Sequence, residues 1–148
     1  MKILINNRKA SFDYAISDEM VAGLVLSGSE VKSLKAGQAS LKGAYISIRT
    51  NPKPEAFLVK AHITPYKYAG NAKNADPEKD RKLLLNKHEI NSLIGKEKGT
   101  TIIPLEIFVG RKGLVKIKIG IGKGKKKYDK RSSIKKREVE RRIKRQED

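Results

Sequence analysis

Val115, Ile117, Ile119 and Ile121 alternate with Lys116 and Lys118, and the turn Gly110-Arg-Lys-Gly113 stands just before them. A repeat of two puts the apolar side chains on one face of a strand and the lysines on the other. Thr100 to Val109 lies on the far side of that turn, so the two segments read as a β-hairpin with one buried face and one half-wetted, basic face. Pro104 places its own strand at a sheet edge or at a bulge.

The same period recurs upstream. Ala44, Ile46 and Ile48 alternate with Tyr45, Ser47 and Arg49, and Asn51-Pro-Lys-Pro54 breaks the run. Phe57, Val59, Ala61 and Ile63 then alternate with Leu58, Lys60 and His62, which predicts a second hairpin. Phe12 to Ile16 and Ala22 to Leu26 are short apolar segments, with Ser17-Asp-Glu-Met20 expected as a turn or a single helical turn. Pro65 to Asp80 reads as a mobile surface loop.

Two short helices follow from local chemistry. Ser27-Gly-Ser-Glu30 is a capping box, Val31 and Leu34 share one face, Lys32 and Lys35 take the exposed side, and Gly37 is a natural stop. Asn86-Lys-His-Glu89 repeats the capping pattern ahead of Ile90, Leu93 and Ile94, with Gly95 as terminator. Leu83 to Leu85 before it reads as a strand; one longer helix starting at Asp76-Pro77 is the competing reading. The expected fold is mainly β with small helices (α+β): a closed or partly closed barrel of about six strands with two or three helices.

Charge limits the partners. The 148 residues carry 34 Lys/Arg against 16 Asp/Glu, a net +18, and the last 29 residues alone hold 13 against 5. Such density without a core points to a polyanion, although a solvated tail that only adds solubility is the plainer reading. Within the tail, Gly122 to Arg131 reads as a glycine-loosened basic junction whose glycines let backbone approach phosphate. From Ser132 onward the composition suits a helix with a narrow stripe of Ile134, Val139 and Ile143, expected to be disordered when free and helical against phosphates. The division expected is a body of 1–121 and a tail of 122–148.

Several classes are excluded. There is no Cys, which fits a reducing compartment and leaves no thiolate metal site. No apolar run reaches membrane-span length, and the first seven residues turn polar too soon for a signal peptide. His62 and His88 read as surface residues; neither they nor the carboxylates form a catalytic or metal constellation, so no catalytic residue, metal or cofactor is expected. Gly120-Ile-Gly-Lys-Gly124-Lys125 lacks the spacing and the following Ser or Thr of a phosphate loop.

Four blocks in order carry a resemblance: Asn7-Arg-Lys-Ala10 with Asp13-Tyr14, Ala22 to Gly37, Asp76-Pro77 before Arg81-Lys-Leu-Leu-Leu85, and Gly124-Lys-Lys-Lys-Tyr-Asp-Lys-Arg131. Together, from about Ile5 to the C-terminus, they resemble the bacterial SsrA-binding protein (SmpB) family. The resemblance implies an oligonucleotide-binding-type barrel, a monomer of the cytoplasm, that binds the tRNA-like domain of tmRNA. It further implies delivery of that RNA to stalled ribosomes for trans-translation, with the tail in the empty mRNA channel near the decoding centre. Carried over by position, the RNA contacts would be Asn7, Arg8, Lys9, Lys32, Lys35, Arg81 and Lys82, then Lys123, Lys125, Lys126, Tyr128, Asp129, Lys130 and Arg131 at the junction. The ribosome-contacting tail would use Lys135, Lys136, Arg137, Arg141, Arg142, Lys144 and Arg145. Val21, Ala75 and Lys79 depart from the family's usual acidic residue, His and Arg. A general basic nucleic-acid binder or ribosomal protein is the rival reading. For Glu30, capping alone is sufficient explanation.

Overall fold

In the computed structural model, which describes residues 2–50, 52–65, 76–94 and 99–124, the chain runs β1 (Lys2–Asn6), α1 (Arg8–Asp13), β2 (Tyr14–Leu24), α2 (Gly28–Lys35), β3 (Ala39–Ser40), β4 (Tyr45–Arg49), β5 (Glu55–Val59), β6 (His62–Ile63), β7 (Arg81–Leu84), α3 (Lys87–Ile94), β8 (Thr100–Val109) and β9 (Val115–Gly124). Seven strands make one antiparallel sheet in the order β1-β8-β9-β2-β7-β5-β4, and β3 pairs with β6 apart from it. The sheet curls until β4 lies against β8, giving a mainly β, partly closed barrel with helices attached.

The β8–β9 hairpin supplies the inner wall. Ile117, Ile119 and Ile121 are buried, and Lys118 on the opposite face lies between Glu19 at 3.8 Å and Glu106 at 3.5 Å. The register shifts between Pro104 and Glu106, so Pro104 sits beside a bulge, within an interior strand. Leu24, Leu34, Ile46, Leu58, Leu83 and Leu93 complete the core. α2 and α3 begin as read. The Ser27 hydroxyl accepts from Glu30 N–H and Glu30 accepts from Ser27 N–H, with the same reciprocal pair at Asn86 and Glu89. Strand β7 precedes α3, and Gly37 ends α2 in the left-handed region at φ +75°.

Four expectations are corrected. Ser17 to Met20 is not a turn but the middle of β2, with Ser17, Asp18 and Glu19 exposed; Asp18 to Met20 pair with β9, and Ser17 sits at a bulge between Ile16 and Asp18. β1 and α1 are elements the sequence does not single out, because β8 provides a pairing partner about a hundred residues away that no local pattern announces. The inward face of β5 is Ala56 and Leu58, not Phe57 and Val59. Lys60, at φ +62°, then resets the phase so that Ala61 and Ile63 also point inward. Ile94 is half-exposed and contributes little to the face of α3. Finally, β9 continues to Gly124, past the boundary drawn at 121.

That last correction changes the role of two glycines. A Cβ at Gly122 would lie 2.9 Å from the carbonyl oxygen of Ala15, and one at Gly120 would lie 2.9 Å from Leu105 and 3.1 Å from Ile16. Both let neighbouring strands and outer-face side chains close on β9; they do not form an open path for phosphate. The stop expected at Gly95, the Ala75 departure, most of the 65–80 loop and everything from Lys125 onward lie outside the described residues.

Candidate nucleic-acid interface

Helix α1 hangs from the bulge in β8. Asn7 donates its backbone N–H to the Leu105 carbonyl at 2.8 Å and its side-chain Nδ2 to the Pro104 carbonyl at 2.8 Å. The bulge frees those two carbonyls, and Asn7 satisfies both. Asn7 is thus first a structural anchor, and it holds the exposed Arg8 and Lys9 at the start of α1.

Two clefts open beside Lys9. One is lined by Lys9, Asp13, Tyr14, Gly43, Tyr45 and Thr101. The other is lined by Arg8, Lys9, Gly37, Ser40 and Lys42 among others, so it joins the start of α1 to the segment after α2. Lys32 and Lys35 are exposed on α2, which ends two residues before Gly37. Tyr45 and Lys42 were not singled out from the sequence. The available signal was an aromatic on the outward phase of β4, where Tyr45 is 38% exposed. Lysines beside accessible tyrosines are what an RNA site uses: ammonium groups for phosphate and ring faces for unstacked bases.

The Arg81–Lys82 pair divides. Lys82 faces out, 45% exposed and 3.8 Å from Glu55. Arg81 faces in and is only 2% exposed, so the expectation of a surface RNA contact is corrected there. Its Nε donates to Glu30 Oε2 at 2.5 Å, Nη1 to the carbonyls of Ala61 at 2.8 Å and Lys79 at 3.1 Å, and Nη2 to the Pro77 carbonyl at 2.9 Å. Strand alternation explains it: Leu83 is inward, so Arg81 two residues earlier is inward too. The buried guanidinium persists because a carboxylate and three carbonyls surround it. Glu30 therefore does more than cap α2, and Lys79 adds a second cation 3.6 Å from it.

The same cluster ties a neck. Ile63 N–H donates to the Pro77 carbonyl at 2.9 Å, Thr64 N–H to the Gln38 carbonyl at 2.9 Å, and Ser33 Oγ to the Thr64 carbonyl at 2.6 Å. The two ends of the 66–75 segment are thereby bound to each other and to α2.

The pair has an acid signature. Burial raises the Glu30 pKa, but the Ser27 amide, the Arg81 hydrogen bond and the Arg81 and Lys79 charges together hold it below the ordinary 4.5. A lowered folded-state pKa means that the unfolded chain binds this proton more tightly. The stabilisation is complete above the ordinary value and is lost as pH falls through the folded one. Urea midpoints followed downward from pH 5 should fall, and a Glu30→Gln variant, weaker at pH 7, should lose that part of the slope. An unchanged acid slope in the variant would place the titration elsewhere.

Lys123 is exposed near the end of β9, opposite Ala15 and Thr100. The other junction and tail residues, Lys125, Lys126, Tyr128, Asp129, Lys130, Arg131 and Lys135 to Arg145, lie outside the described residues. Among the described residues no helix is long and apolar enough to cross a membrane.

Comparison with known proteins gives a single result. A family model described as "SmpB protein" matches residues 4–148. Proteins named "SsrA-binding protein" are similar along nearly the whole chain. One from Acetivibrio thermocellus is 49% identical, covering 97% of this chain and 94% of its own. Another, from Wolbachia pipientis, is 51% identical, covering 95% and 93%. A solved chain described as "tmRNA-SmpB: a journey to the center of the bacterial ribosome" superposes with a TM-score of 0.67 at 36% identity, covering 88% of this chain and 93% of that one. The sequence blocks, the curled sheet and these matches agree, and the chain belongs to the SmpB family.

Proposed function

We propose that this protein binds the tRNA-like domain of tmRNA and takes it to stalled ribosomes for trans-translation. The match to SsrA-binding proteins over nearly the full length carries this reading. The clefts beside Lys9 supply suitable chemistry, with Arg8, Lys9 and Lys42 for phosphates and Tyr14 and Tyr45 for bases. Lys32, Lys35, Lys82 and Lys123 extend the basic surface, and Asn7 positions α1 instead of reading RNA through its side-chain amide nitrogen. In this reading the junction and tail enter the mRNA channel and fold there as a helix. The protein acts by binding alone, as a cytoplasmic monomer without catalytic chemistry.

Competition binding tests the reading. Each phosphate contact adds about 0.7–0.9 to the salt slope for any basic binder, so the slope cannot separate a rescue factor from a general one. At 200 mM salt a tRNA-like RNA should outcompete random RNA and duplex DNA by about two orders of magnitude or more, given the usual span between specific and non-specific sites. Equal competition would leave only the general binder.

A further inference from the structure

Lys60 is the one non-glycine residue among those described that holds a positive φ, at +62°. In that region the Cβ crowds the following carbonyl, and a lysine has no short polar group to make the conformation locally favourable. Glycine would hold the same turn without that penalty. A residue kept in a costly conformation motivates a search for what its side chain does.

Two strand registers fix its position. Val59, just before it, pairs with Tyr45, which lines the cleft containing Lys9 and Tyr14. His62, two residues after it, pairs with Ser40, which lines the cleft containing Arg8, Lys9 and Lys42. Lys60 is exposed between these two pairings, at the corner where β5 turns into β6. Its nearest strand neighbours bring no carboxylate: Tyr45 and Ser47 face β5 at this end, and Glu55 is at the other.

We propose that Lys60 is an RNA-phosphate contact beside these two clefts, kept where glycine would suit the backbone because it adds a cation to those of Arg8, Lys9 and Lys42. Lys60 directly follows Val59, the strand partner of the exposed Tyr45, and stands two positions before His62, the partner of Ser40. This inference rests on the RNA-binding reading above and adds a residue to it. The phosphate belongs either to the tRNA-like domain or to ribosomal RNA, and the two sources are separable by experiment.

The test is Lys60→Gly in the full chain, with Lys60→Arg as the charge-preserving control. Glycine suits the corner, so the variant should melt at the parent's temperature or above it. Its affinity should fall several-fold, and its salt slope should drop by about 0.7–0.9, the signature of one lost phosphate contact. Measured separately on the tRNA-like domain and on empty small ribosomal subunits, the arm in which the slope drops names the source. Lys60→Arg should bind as the parent does. Unchanged slopes in both arms, with parental binding intact, would overturn the proposal, as would a lower melting temperature with unchanged binding, which would make Lys60 a packing residue. Failure of the parent to prefer tRNA-like RNA would instead sink the functional reading.

Discussion

Alanine at position 81 should cost about 3–5 kcal/mol of stability, the range for removing one partner of a buried ion pair. The guanidinium is 2% exposed and Glu30 only 12%, so water cannot fully replace what is lost. The carbonyls of Ala61, Pro77 and Lys79 lose their donors in the same step. Against the 5–15 kcal/mol typical of whole domains, such a loss leaves a marginal protein. Arg81→Lys should recover only part of it, because an ammonium keeps the charge but lacks the planar fork. Urea unfolding at pH 7 measures the effect, and a double-mutant cycle with Glu30→Gln should show coupling of about 0.5–3 kcal/mol. A loss under about 1 kcal/mol would be in the range of an exposed pair and would contradict the burial. At a temperature where Arg81→Ala remains folded, it should bind tRNA-like RNA nearly as the parent does. Charge reversal at Lys82, on the outer face, should weaken RNA binding and leave the melting temperature alone.

Deleting Ser132 to Asp148 should do the opposite: preserve RNA binding and abolish ribosome rescue. The described barrel ends at Gly124, seven residues before the cut, so the clefts beside Lys9 keep every lining residue. The deleted stretch has little to hold it as a free helix. In a helix, Glu138–Arg142 and Glu140–Lys144 would stand at ion-pair spacing worth about 0.2–0.5 kcal/mol each, and Arg137 and Arg141 would repel. Circular dichroism of a 120–148 peptide should therefore show little helix in buffer. Strong helicity there would rule out folding coupled to binding, and tagging of stalled products by the truncated protein would refute the role given to the tail.

What the sequence made legible was local. The two capping boxes need only residues three apart, and the β8–β9 hairpin needs only its own alternation and its glycines. What escaped was long-range. β1 is a strand because β8 is there to pair with it, and Ser17 to Met20 stays extended because β9 runs alongside. Arg81 looked like a surface cation because its partner Glu30 stands 51 positions earlier and already had a sufficient local role as a cap. In β5 the alternation was real but was joined across Lys60, and one left-handed residue was enough to invert which face is buried. At the interface, basic residues were legible by type. Their division into buried brace, structural anchor and open cation depended on burial that no single-sequence pattern encodes.

The neck formed by Ile63, Thr64 and Pro77 has a practical meaning for anyone altering this molecule. Because the segment leaves and re-enters the barrel at bonded neighbours, its length is decoupled from the barrel's geometry. Doubling the length of chain between two fixed ends adds only about 0.6 kcal/mol of closure entropy. Positions 66–75 are therefore the natural place to graft a fluorophore-bearing insert or an affinity tag, and the barrel should tolerate the addition so long as the clamp at its base is left untouched.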